Sequence, residues 1–506
     1  MTLFNRRAFL TTAAAAIAQT ACDPPPALEL EELSLADLSK WSSAALTDSY
    51  RRRIDLIDKR GPRLNAVIEV NPDARALASQ FDRERKAGHI RGPLHGIPIL
   101  IKDNIETGDR MKTTAGSLAL ANWSAPQDAP LVARLRAAGA VILGKTNLSE
   151  WANFRSTHSI SGWSGRGGQT RNPYALDHNP SGSSSGSGAA TAASLCAVAV
   201  GTETDGSVTS PSSINGLAGL KPTVGLVSRD GIIPISASQD TAGPMARSVR
   251  DLAILLGAMA DKPHDYTRYL DPRGLRGARL GVARKFFENN APLDRFLSNC
   301  VDALKKAGAE VIDPADLPTH GQFDAAENDV LQYEFKDGLN RYLTRLPAGS
   351  PARTLQELIA YNEKYRDREM PFFDQEIFIQ SEARGPLTEA KYIKARADCV
   401  RMSRAEGIDA VLAQHKLDAI VSLTSGPAWY TDTINGDRDT GGCTSPAAVA
   451  GYPHITVPAG YYRGLPIGLS FFGTAWTEPN LIKLAYAWEQ QMNARRKPGY
   501  AAKASD

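Results

Sequence analysis

Residues 180–188 read Pro180-Ser181-Gly182-Ser183-Ser184-Ser185-Gly186-Ser187-Gly188. After an Ala-rich segment, residues 201–207 read Gly201-Thr202-Glu203-Thr204-Asp205-Gly206-Ser207. Small residues crowd both ends, where the backbone can approach a ligand closely. Between them, residues 189–199 carry neither Gly nor Pro. Their Ala, Leu and Val content predicts a buried helix that holds two hydroxyl-rich turns in fixed relation. A Gly/Ser linker would share the opening composition, but a linker does not run straight into an apolar helix. Gly182-Ser183-Ser184-Ser185-Gly186 also fits the G-x-S-x-G nucleophile elbow, centred on Ser184. That elbow requires a strand immediately before it, and residues 171–180 are a turn-rich coil with Pro173, Asn179 and Pro180.

Further motifs flank this stretch. Downstream runs Ile214-Asn215-Gly216-Leu217-Ala218-Gly219-Leu220-Lys221-Pro222-Thr223. Upstream runs Gly92-Pro93-Leu94-His95-Gly96-Ile97-Pro98-Ile99-Leu100-Ile101-Lys102-Asp103-Asn104. Together with the central stretch, and in this order, they resemble the amidase-signature enzymes over residues 34–495. Residues 147–163 and 167–174, including Asn147-Leu148-Ser149-Glu150-Trp151 and Thr170-Arg171-Asn172-Pro173-Tyr174, are similar to the peptide-amidase branch of that family.

The chemistry can be argued beside the resemblance. A carboxamide is a poor electrophile, so its hydrolysis needs an activated nucleophile, an oxyanion hole and an acid for the leaving nitrogen. Ser207 follows Thr204-Asp205-Gly206, a tight turn whose backbone amides (Thr204, Asp205, Gly206 and Ser207) can converge on an oxyanion. No Ser-His-Asp order is evident. Lys102 ends the apolar run Ile97 to Ile101, a predicted buried strand. Burial without a counter-charge lowers a lysine's pKa, which is the condition for it to act as a base. The resemblance implies the rest of the relay: Ser207 as the acylated nucleophile, Ser183 as the bridging hydroxyl after a cis Gly182–Ser183 peptide, and Lys102 as the ultimate base. It also implies a loop beside the substrate at Thr157. Ser181 and Ser185 stand where relatives usually have Gly, and Asp205 where many do, which bears on substrate choice rather than on catalysis.

One nucleotide motif fails on context. Gly139-Ala140-Val141-Ile142-Leu143-Gly144-Lys145-Thr146 matches G-x-x-x-x-G-K-[ST]. A P-loop follows a strand and precedes a helix, whereas here a helix comes first and the variable positions form a buried strand. No cofactor and no nucleotide is therefore expected. Eight scattered histidines and the spacing of Cys22, Cys196, Cys300, Cys399 and Cys443 predict neither a metal site nor a disulfide framework. Cys196 is expected within the apolar helix. A net charge of +3 with no basic block argues against nucleic acid as a partner.

The N-terminus reads as an address. Asn5-Arg6-Arg7-Ala8-Phe9-Leu10 resembles a twin-arginine export motif. The apolar run after it is shorter than the roughly 20 residues that span a bilayer. Ala16-Ile17-Ala18 suits signal peptidase, and Cys22 is the alternative lipidation site, the one route to a membrane. Residues 1–21 are thus an export signal, 22–33 a linker and 34–500 one amidase domain, placing the protein in the periplasm or outside the cell.

Strand and helix patterns alternate along that domain, which predicts an α/β fold with a mixed central β-sheet and helices on both faces, the fold the resemblance also implies. Residues 232–248, with Ser238-Gln239-Asp240, are expected to close the floor of the site. Residues 318–415 are charged and helical, an insertion shaping access. The expected activity is hydrolysis of the C-terminal amide of peptides, with small aryl or aliphatic amides as the alternative substrates. A tRNA-amidotransferase subunit shares the signature but does not suit an exported chain. A dead amidase scaffold that only binds is the third reading, and the presence of Lys102, Ser183 and Ser207 together argues against it.

Overall fold

The computed structural model describes residues 28–504; the expected export motif and Cys22 lie outside the described residues. The described residues form thirteen strands: β1 Val67–Val70, β2 Pro98–Lys102, β3 Val141–Thr146, β4 Trp163–Ser164, β5 Gly168–Gln169, β6 Ala199–Glu203, β7 Ala218–Lys221, β8 Thr241–Ala246, β9 Arg279–Val282, β10 Glu310–Ile312, β11 Ala419–Leu423, β12 His454–Tyr462 and β13 Leu465–Phe472. Eleven of them form one sheet in the order β1-β3-β2-β6-β8-β7-β12-β13-β11-β9-β10, while β4 and β5 pair as a separate ribbon. The sheet is mixed. β2 runs parallel to β3 and β6, whereas β8, β7, β12 and β13 pair antiparallel in succession.

Side-chain alternation explains why helices cover both faces. On one face the sheet presents glycines. A Cβ on Gly201 would lie 2.6 Å from Ser184 Oγ, and one on Gly219 would lie 2.1 Å from Ser212 Oγ. Small residues there let the helices Ser185–Ala192 and Thr209–Ile214 press onto the strands. The alternate positions Leu220, Ile467 and Leu469 belong to one buried apolar core with Leu481, Leu484 and Trp488 of the helix Glu478–Met492. Each such side chain contributes about 1.5–3 kcal/mol on burial.

The helix expected over residues 189–199 is displaced. It spans Ser185–Ala192, and Ala199 opens β6 instead. Gly186 and Gly188 are poor helix formers, but at Gly186 a Cβ would lie 2.3 Å from Ala66 O and 2.5 Å from Asn147 O. Close packing, not propensity, places the helix there. Cys196 consequently sits in the turn before β6, still buried, and burial pushes its thiol up to about 11. Residues 318–415 hold several helices, the longest Asp324–Leu343.

Candidate active site

β2 carries Lys102 into the core, where its side chain is wholly buried. Nζ lies 2.7 Å from Ser183 Oγ, 2.9 Å from Thr202 Oγ1 and 3.2 Å from the Thr202 carbonyl oxygen. Burial lowers the Lys102 pKa from 10.5 to about 7, outweighing the Glu203 and Asp240 carboxylates, which favour the charged form. A neutral amine has two N–H donors and one lone pair. The two donors match the two Thr202 oxygens, which leaves the lone pair for the Ser183 hydroxyl proton. Asn104 Nδ2 donates to the same Thr202 Oγ1 at 3.0 Å and so fixes it from the other side.

The Gly182–Ser183 peptide is cis. Gly182 has no room for a side chain, since a Cβ would lie 2.2 Å from Ser149 Oγ. Ser183 is wholly buried, and its carbonyl accepts from the Ser149 amide at 3.1 Å. Next to it, Ser184 Oγ donates to Thr202 O at 3.1 Å and accepts from the Thr202 amide at 3.2 Å. The hydroxyl-rich turn is therefore stitched to the strand residue that holds Lys102.

The second turn begins where β6 ends. The buried Glu203 carboxylate accepts from the amides of Val208 at 2.7 Å and Thr209 at 2.8 Å, closing a loop around Ser207. Gly206 has φ +75°, a conformation that disfavours a side chain. Its carbonyl accepts from Ser210 N at 2.8 Å. In a trans peptide the C=O and the following N–H point opposite ways, so the Ser207 amide is turned away from the helix Thr209–Ile214. Among the described residues, the amides of Asp205, Gly206 and Ser207 donate to no protein acceptor. Asp205 and Gly206, with Gly182, Trp429, Asp437 and Asp439, line a cavity of about 350 Å³. Ser207 is 8% exposed, and its hydroxyl makes no hydrogen bond among the described residues. The Lys102–Ser183 contact is formed, whereas no hydrogen bond joins the Ser183 and Ser207 hydroxyls among the described residues.

Thr157 is placed differently from the other expected site residues. Asn153 and Ser161 of its loop line the cavity, but Thr157 is exposed and absent from that lining. Its amide and hydroxyl both donate to Glu376 Oε1, at 2.6 and 2.9 Å, tying the loop to the helix Glu376–Glu382. Of the residues that differ from relatives, Ser181 Oγ lies 2.9 Å from Ser210 Oγ, and Asp205 Oδ1 accepts from Thr444 Oγ1 at 2.6 Å. Ser185 Oγ lies 3.3 Å from Ser149 Oγ. Sequence reasoning missed Thr202, although it stands in the quoted motif one residue before Glu203. It also missed Asp437, which accepts from the Ser161 amide, Asn179 Nδ2 and Trp429 Nε1. Neither Asp437 nor Thr444 lies in a recognisable motif.

Comparison with known proteins gives the family. The Amidase family model matches residues 45–482. A probable amidase of Arabidopsis thaliana is 40% identical over 502 residues, covering 94% of this chain and 92% of the relative. The native peptide amidase from Stenotrophomonas maltophilia superposes with a TM-score of 0.89 at 52% identity, covering 93% of this chain and 99% of that one. A peptide amidase in complex with the competitive inhibitor chymostatin gives a TM-score of 0.90 at 52% identity, covering 93% and 100%. The likeness spans the whole sheet and both Ser-bearing turns, so the chain belongs to the amidase family and is a hydrolase of carbon–nitrogen amide bonds.

Proposed function

We propose that this enzyme converts the C-terminal carboxamide of peptides into the free acid and ammonia, with Ser207 as nucleophile, Ser183 as bridge and Lys102 as base. The observation that carries the reading is the 2.7 Å contact between Lys102 Nζ and Ser183 Oγ, facing a turn whose amides are uncommitted. Ser207 Oγ attacks the carboxamide carbon, and its proton passes through Ser183 to neutral Lys102. The oxyanion is held by the amides of residues 205–207, with Thr204 opening the turn. The proton returns along the same path to the nitrogen, the C–N bond breaks and ammonia leaves. Water then attacks the acyl-enzyme by the same relay, giving the acid and restoring Ser207. A rotation of the Ser207 side chain completes the Ser183 contact when substrate is bound; such contacts tighten in the reacting complex.

The likeness to peptide amidases across nearly the whole of both chains supports the peptide amide as substrate. Asn5-Arg6-Arg7 supports export, so the peptides met are those outside the cytoplasm. Ammonia release from a blocked dipeptide amide and from benzamide, with Ser207→Ala in parallel, tests the reading. Release from the peptide amide, lost in the variant, is expected. Preference for benzamide would replace the substrate, and equal release by the variant would remove the mechanism.

A further inference from the structure

The contacts that hold Thr204 lead out of the motif to the helix Asp324–Leu343, in a segment to which the sequence attached no chemistry. Thr204 opens the oxyanion turn, and two side chains grip it. Asp240 Oδ1 accepts from Thr204 Oγ1 at 2.6 Å, and Asp240 Oδ2 accepts from the amides of Ile235 and Ser236 at 2.9 Å. Gln239 Nε2 donates to the Thr204 carbonyl oxygen at 3.4 Å and to Glu327 Oε1 at 2.9 Å. One amide NH₂ has two hydrogens and serves both acceptors. Gln239 and Glu327 are both buried, and Glu327 lies in the first turn of its helix. Planarity makes the Asp205 N–H point opposite to the Thr204 C=O. Whatever aims that carbonyl therefore aims the first amide of the turn.

We propose that Gln239 and Glu327 are positioning residues for the oxyanion turn, through which the helix Asp324–Leu343 acts on catalysis. This rests on the proposed role of the amides of residues 205–207. Burial, together with the nearby Asp205 and Asp324 carboxylates, pushes the Glu327 carboxyl well above the usual range. Glu327 Oε1 is the acceptor for Gln239 Nε2, a role the amide oxygen of a glutamine fills in kind.

The test compares a peptide aldehyde, whose hemiacetal with the serine places an oxygen in the oxyanion hole, with the matching peptide alcohol, which binds without that bond. Full-length protein is assayed as wild type, Gln239→Ala, Glu327→Ala, Glu327→Gln and Ser207→Ala. The two alanine variants at 239 and 327 are expected to lose about tenfold in kcat, with KM within about twofold, the size of one lost hydrogen bond. Aldehyde affinity falls about tenfold with it, while alcohol affinity moves less than about twofold. Glu327→Gln recovers most of both losses. The proposal is overturned if aldehyde and alcohol weaken alike, if neither alanine variant weakens the aldehyde, or if Glu327→Gln is no better than Glu327→Ala. A wild type that binds aldehyde no better than alcohol, or a Ser207→Ala that binds it as tightly, instead removes the oxyanion reading itself, and the relay with it.

Discussion

Lys102 and Lys145 stand on neighbouring parallel strands, with Lys102 beside Thr146 and Ile101 beside Lys145 in the ladder. Both side chains are wholly buried. Burial lowers both pKa values, to about 7 for Lys102 and about 8 for Lys145. Their surroundings nevertheless differ in kind. Lys145 Nζ donates to the Ile105 carbonyl at 2.6 Å and to Thr113 Oγ1 at 2.9 Å, joining the segments that follow β2. Lys102 faces Ser183, one step from the turn that bears Ser207. Burial makes a lysine available as a base, but the hydroxyl it faces decides whether that basicity is used.

The sharpest way to break this contrast is to remove the groups in order. Ser207→Ala is expected to cost on the order of 10⁴–10⁶ in kcat, with thermal midpoint near wild type, read by ammonia release. Lys102→Ala should cost about 10²–10⁴, the usual contribution of a general base. Lys145→Met should keep kcat/KM within about threefold while lowering the thermal midpoint, because Ile105 O and Thr113 Oγ1 each lose a hydrogen bond, worth about 0.5–1.5 kcal/mol apiece, and keep only the 3.4 Å bond between them. If Lys145→Met instead loses activity as Lys102→Ala does, the contrast collapses.

The pH dependence sharpens it further. In the proposed relay only neutral Lys102 accepts the proton, so kcat/KM should fall as pH drops through about 7. Lys145→Met should leave that limb in place. Stability follows with its own sign. Between about 7 and 10.5 the unfolded Lys102 holds a proton that the folded one does not. The unfolded state binds more protons there, so stability from this group rises with pH across that window. Urea titrations at several pH values should show a shallower rise in Lys102→Met than in wild type, the smallest of these effects.

Legibility varied along the chain for a physical reason. Lys102, Ser183 and Ser207 sit in local motifs of small residues and tight turns, and the family resemblance those motifs carry singled them out; the structure brings Lys102 and Ser183 into contact. The end of the helix Ser185–Ala192 was not legible. Its limits are set by the approach of Gly186 to Ala66 and Asn147, residues far away in sequence. Thr157 shows the converse: its loop reaches the cavity wall through Asn153 and Ser161, while its own hydroxyl turns to Glu376.

By itself the sequence determined what depends on neighbours along the chain: an apolar strand ending in a lysine, glycine-bearing turns rich in hydroxyls, and helix–strand alternation that demands a two-sided sheet. It also excluded the P-loop, because Gly144-Lys145-Thr146 continue a buried strand. Tertiary structure alone decided which acceptors surround the Lys102 amine, that Glu203 closes the Ser207 loop on the Val208 and Thr209 amides, and that Gln239 and Glu327 reach Thr204. Hydrogen bonds have strict length and angle, so the residues that satisfy them are known only once the sheet has brought distant segments within about 3 Å.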